Sequence, residues 1–268
     1  MIRVATFAAA LAALLVAYCS ATSSAAQEPA ARMSDKAVKQ LVDDIEDQQK
    51  RFARALDSSF RRSVLRGPGG EIEVEGYLDD FNEDINRFSD RFDGNYSASA
   101  EVKDLLIRAD MMNAYIHANP SVKGANEWDV LESSLQQLAA VYGTTFPLPD
   151  DPVIRRIGDG ELEDAASATS KFAGHFRGTV RKETRRLDGL DDPSAKLEDE
   201  ISSLEDVSKA LASRIRKDKP ASAEARQLLD TVGKIEALLA TPGMPSTLKT
   251  AWATSEKDIE KIAQAFRL

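Results

Sequence analysis

Cysteine is nearly missing from this chain, Cys19 being the single example, and histidine is almost as scarce, with only His117 and His175. One cysteine allows no internal disulfide, no Cys-x-x-Cys redox pair and no thiolate cage for zinc. No His-x-x-x-His, Glu-x-x-His or Cys-x-x-Cys-His occurs, which removes the ligand patterns of di-iron bundles and of c-type haem attachment. Each histidine reads as a partly exposed surface residue. An excess of basic charge is also lacking: the net charge is −9, so no basic face suits nucleic acid. The glycine cluster Gly67-Pro68-Gly69-Gly70 lacks a following Lys-Ser or Lys-Thr, so it is no phosphate cradle, and no Ser-His-Asp order is visible. The acidic run from Asp90 to Glu101 misses a calcium loop. With Gly94 as its turn glycine, the first, third and twelfth positions fall on Ser89, Arg91 and Ala100. No cofactor and no metal is expected.

Long apolar runs are limited to the N-terminus. Arg3 is followed by an apolar stretch from Val4 to Tyr18 and then by the small residues Ser24-Ala25-Ala26. A basic start, a short apolar core and a small-x-small site describe a secretory signal peptide spanning residues 1–26. The stretch is too short to span a bilayer, which takes about 20 apolar residues. Lipidation of Cys19 is disfavoured because the bulky Tyr18 precedes it. The expected location is periplasmic or extracellular, with no transmembrane span in the mature chain.

What the chain has in abundance is helical periodicity. Trp128, Leu131, Leu135, Leu138 and Tyr142 are spaced three, four, three, four, and Trp252, Ser255, Ile259, Ile262 and Phe266 repeat the spacing. This is an a/d seam with an aromatic plug at each end. Similar faces run through Val38–Phe60, Leu78–Phe92 and Val102–Ile116, and again through Leu162–Val180, Leu197–Ile215 and Ala225–Leu239. The segment Glu71–Glu75 alternates like a strand but reads as an extended lead-in, too short and isolated for a sheet. Ser34, Ser99, Asn126, Ser222 and Ser246 are expected helix caps.

The two sets align. Ser99-Ala100-Glu101 lies over Ser222-Ala223-Glu224, Leu105-Leu106 over Leu228-Leu229, and Phe52 over Phe176. The expected fold is therefore all-α, with two tandem antiparallel four-helix bundles at residues 34–143 and 161–268. A mobile lead at 27–33 and a Pro/Gly-rich linker at 144–160 complete the division, with Asp159 read as turn chemistry.

Charge repeats as well. Arg51, Arg54, Arg61, Arg62 and Arg66 end the first helix, and Arg177, Arg181, Lys182, Arg185 and Arg186 end its counterpart. Acidic residues open the helix that follows each, so macrodipole complementarity and hairpin pairing account for most of the pattern. The sharper reading gives Arg181, Arg185, Arg186, Arg61 and Arg62 to an anionic partner. Absent chemistry plus this architecture suggest an exported, non-enzymatic binding or scaffold protein of the envelope, with the groove near the linker as docking place. The rival is a ligand- or metal-binding bundle, or an enzyme, using carboxylates and arginines. It would need a polar seam residue such as Gln48 or Glu236 to be buried with a partner.

Overall fold

The structure, a computed structural model, describes residues 32–67, 70–185 and 191–267, and these are mostly helical. The signal-peptide reading and most of the lead fall outside the described residues. Helix α1 (Asp35–Ala55) begins at Ser34, whose hydroxyl accepts from the Ala37 N–H at 3.3 Å. It buries Val38, Leu41, Val42, Ile45 and Phe52 on one face. It stops at Ala55, short of Phe60, the last residue of the apolar face read from the sequence. Leu56 turns extended, and Asp57 caps a separate single turn, α2 (Ser58–Arg61). The alternating stretch does find a partner: β1 (Val64–Gly67) and β2 (Gly70–Glu73) form an antiparallel hairpin with Leu65 opposite Ile72. The strand partner came from the tail end assigned to the first helix, which is why the segment looked isolated.

Helices α3 (Val74–Arg91), α4 (Ser99–Ala118) and α5 (Ala125–Val141) join α1 around one apolar core. A second core is enclosed by α6 (Asp159–Thr184), α7 (Asp191–Arg216), α8 (Ser222–Leu239), α9 (Ser246–Trp252) and α10 (Glu256–Phe266). The two cores share no buried hydrophobic residue, yet the described residues belong to one compact unit. Several expected caps sit one residue inside their helices. Ala98, Gly124, Ala221 and Pro245 occupy the cap positions, and Ser99, Ser222 and Ser246 are first helical residues. Gly124 takes a φ of +98°, and the Cβ of any other residue would crowd Leu56 and Phe52.

The last helix is broken where α5 is continuous. The Thr254 hydroxyl donates to Ala251 O and the buried Ser255 hydroxyl to Trp252 O, both at 2.8 Å. Paired back-bonds to the carbonyl three residues earlier tighten Ala253–Ser255 into a 3₁₀ turn. At the position of Ser255, α5 has Leu131, an apolar side chain that leaves the helical ladder alone.

The surroundings of the two tryptophans correspond. Trp128 meets Phe52 edge-on at 5.0 Å, and Trp252 meets Phe176 at 5.5 Å. Their indole N–H groups differ. Trp128 donates to Asn113 Oδ1 at 2.8 Å, whereas the buried Trp252 N–H has no partner among the described residues. Asn113 aligns with Glu236, which points to solvent. Trp128, in the first turn of α5, is fully buried with a side-chain acceptor beside it.

Candidate functional site

The polar chemistry of the molecule concentrates where α1 and α6 begin. Arg32-Met33-Ser34-Asp35 and Arg156-Ile157-Gly158-Asp159 lie side by side and exchange contacts in both directions. The Asp35 N–H donates to Asp159 Oδ2 at 2.7 Å, and the Asp159 N–H donates to Asp35 Oδ2 at 2.9 Å. Each pair of partners is 124 residues apart, the same interval that separates Trp128 from Trp252. Arg32 donates to the Asp159 carboxylate and, at 2.7 Å, to Ile157 O. Arg156 mirrors it, donating to Met33 O at 3.0 Å with its Nη1 2.6 Å from Asp35 Oδ1. That last pair is an ion pair lying off the hydrogen-bonding direction, the one place where the mirror is imperfect.

Each helix is thus capped by the other's aspartate. A carboxylate at a helix N-terminus satisfies an orphan N–H and complements the dipole. Here the two carboxylates do so reciprocally, with an arginine neutralising each. The arginines are costly to bury unpaired: Arg32 has its pKa lowered by burial first of all, with Asp159 opposing the shift. Asp159 is therefore not turn chemistry. It is the first residue of α6 and half of a clasp, so the helix starts inside the segment read as linker. Much of that segment is packed rather than loose. Phe146 is buried in the first core, Leu148 and Ile154 lie against it, and the Arg155 N–H donates to Tyr142 O at 2.9 Å.

On the Arg156 side the clasp is closed by aromatic residues. The Arg156 guanidinium stands over the Phe92 ring, 5.4 Å from its centroid. The Tyr142 hydroxyl donates to Ser97 O at 2.5 Å, the Ser97 hydroxyl to Arg156 O at 2.7 Å, and the Gly160 N–H to Gly94 O at 3.0 Å. Burial, chiefly, raises the Tyr142 pKa well above the usual phenol range. Close by, Glu101 receives Arg91 at 2.7 Å and the Tyr96 hydroxyl at 2.9 Å. Burial alone pushes its pKa up, but those bonds outweigh it and hold the carboxyl below its ordinary range.

On the Arg32 side the equivalent place is a recess of about 230 Å³, walled by Arg32, Met33, Ile215, Lys219, Pro220 and Phe266. The ion pair recurs behind two of the other wall residues, Ala221 and Ser222: Arg214 Nε lies 2.5 Å from Glu224 Oε1 in the first turn of α8, as Arg91 pairs with Glu101. Glu224 Oε2, however, is buried without a partner among the described residues.

The arginines singled out from sequence lie elsewhere. Arg181 donates to Glu198 at 2.6 Å across the α6–α7 hairpin. Arg61 approaches Glu75 at 3.8 Å, and Arg62 donates to Ser58 O at 3.0 Å. Arg185 is exposed, and Arg186 lies outside the described residues. Since α1 and α6 both start at the clasp, these arginines sit a helix length away, about 30–40 Å, and α1 and α6 make no extended contact that would unite them. Of the two seam residues, Glu236 is exposed and Gln48 is half-buried; the buried amide is its neighbour Gln49, which donates to Leu78 O at 3.1 Å. His117 contacts Glu132 at 3.1 Å on the surface, and His175 is exposed. Among the described residues no group of acids, histidines or cysteines is placed to hold a metal, and no helix is long and apolar enough to cross a membrane.

The clasp was visible in the sequence as a repeated Arg-x-x-Asp at the interval shared by the tryptophans. Its two copies straddle the start of one helix and the end of a proline-rich stretch, so no single periodic pattern contains both. No family model, no curated protein and no solved structure matches this chain.

Proposed function

We propose that this chain is an exported, non-catalytic helical binding protein of the cell envelope, built from two tandem copies of an antiparallel four-helix module. The reciprocal clasp carries the reading. Equivalent residues that exchange reciprocal contacts are the signature of an isologous, two-fold interface, the kind two copies of one module make with each other. Matching ion pairs Arg91–Glu101 and Arg214–Glu224, and matching Phe–Trp contacts, support the same duplication. The charged groups of the clasp are paired with one another, which suits holding two modules in register better than it suits turning over a substrate. Binding is then assigned to the recess beside the clasp. Export rests on Arg3, the Val4–Tyr18 stretch and Ser24-Ala25-Ala26.

The alternative anionic partner at the arginine ends keeps less support, because Arg181 is engaged by Glu198. A ligand site built on seam carboxylates likewise loses Glu236, which faces solvent. Fractionation followed by intact-mass measurement tests the proposal's first half: the mature protein is expected in the envelope fraction, beginning at Gln27. Full-length protein held in the cytoplasm contradicts export. For the second half, the purified chain is expected to retain a ligand or partner through the recess, and blocking it with Lys219→Trp should abolish retention. Retention that survives the block removes the recess from the proposal.

A further inference from the structure

The two flanks of the clasp are built on the same backbone, and comparing them shows which groups the recess lacks. Phe92, under the Arg156 guanidinium, corresponds to Ile215; Tyr96 corresponds to Lys219; Ser97 corresponds to Pro220; and Tyr142 corresponds to Phe266. Both members of the Phe92/Ile215 and Tyr142/Phe266 pairs are buried, each in its own core. The second flank has therefore lost an aromatic ring below its arginine, a second ring at the rim and two phenolic hydroxyls. The groups that met them remain. Arg32 still borders the space and is held in place by Asp159 and Ile157 O, as Arg156 is by Asp35 and Met33 O. Glu224 Oε2, the counterpart of the carboxylate oxygen that receives the Tyr96 hydroxyl, is buried without a partner among the described residues, two positions beyond Ser222 of the recess wall.

We infer that the recess is a binding site for a free monocyclic phenol, whose ring lies against the Arg32 guanidinium as Phe92 lies against Arg156. This rests on the binding reading above but not on export. The volume agrees: a cavity of about 150 Å³ accepts benzene, so 230 Å³ holds one substituted ring. A guanidinium fixed by two acceptors keeps its face available, and a ring placed there gains the cation–π attraction that the first flank supplies internally. The phenolic hydroxyl supplies the donor that the second flank has lost.

The test uses the purified chain and 4-methylphenol, followed by calorimetry and amide NMR, with 4-methylcyclohexanol as the saturated control. Saturable one-to-one binding is expected, with shifts at Arg32, Lys219 and Ala221, and the control at least tenfold weaker. Ile215→Phe returns the missing ring from inside and Lys219→Tyr returns one from the rim. Each should weaken 4-methylphenol at least tenfold while retaining the helical spectrum, and either variant suffices if the other misfolds. Absence of saturation, equal affinity for the saturated control, or undiminished binding in the folded variants overturns the inference. Because the assay uses purified protein, its failure leaves the export measurement untouched, and the reverse also holds.

Discussion

The flank around Arg156 and the flank around Arg32 present the same arginine, the same aspartate and the same helix start, yet one is sealed and the other open. Four side-chain exchanges distinguish them: Phe92 for Ile215, Tyr96 for Lys219, Ser97 for Pro220 and Tyr142 for Phe266. Backbone geometry and capping are set by the polar clasp, and occupancy of the space beside it by aromatic residues. These are separate physical tasks, so one can be kept while the other is released.

Breaking the clasp is expected to have the largest effect. Asp159→Ala leaves the poorly exposed Arg32 guanidinium without its counter-charge, Ile157 O still accepting from it, and takes the acceptor from the Asp35 N–H. Losing one member of a pair this sheltered costs about 3 kcal/mol. Trp128 and Trp252 report the two cores separately, and the variant should melt in two steps where the parent melts in one. A single unchanged transition would show that the clasp does not couple the halves.

The tryptophans sharpen the comparison next. Trp128→Phe removes the donor to a buried Asn113 acceptor and should cost about 2–3 kcal/mol. Trp252→Phe removes an N–H that has no partner among the described residues and should cost about 1 kcal/mol. Equal losses in denaturant melts would mean that the two plugs are energetically the same after all.

Glycine substitutions probe the closed flank at smaller amplitude. A Cβ on Gly160 would intrude on the Gly94 carbonyl, so Gly160→Ala should destabilise by about 1–2 kcal/mol. Gly178 lies inside the same helix with open space around it, and Gly178→Ala should stabilise by about 0.5–1 kcal/mol. Melting temperatures that move in the same direction would contradict the tight approach.

Alkali should separate the halves as well. Burial, foremost, raises the pKa of Tyr77 and of Tyr142 above the ordinary phenol range. A raised folded pKa gives stability that is complete below the unfolded value, about 10, and is lost as pH climbs past it. All five tyrosines precede Gly143. In the uncoupled Asp159→Ala variant, above about pH 10, the Trp128 signal should therefore change before that of Trp252; a change at Trp252 first would reverse the assignment.

Much of the helical architecture was legible in the sequence because period and burial coincide. The seam of Trp128, Leu131, Leu135, Leu138 and Tyr142 is fully buried, as its spacing required. The hairpin was not legible, since Val64–Gly67 carries no strand signal apart from its partner. The break at Ala253–Ser255 depends on two hydroxyls turning back onto the helix, which periodicity does not register. Nor was the recess visible: it is a difference between two aligned sites, and it becomes readable only when Arg32 and Arg156 are seen facing each other.

Amide hydrogen exchange at Asp35 and Asp159 tests the reciprocal clasp most directly. Both N–H groups are expected to be protected in the parent chain, with Asp159→Ala releasing Asp35 and Asp35→Ala releasing Asp159 to similar extents. Rapid exchange at either position in the parent, or a loss of protection that runs in one direction only, contradicts a two-fold clasp.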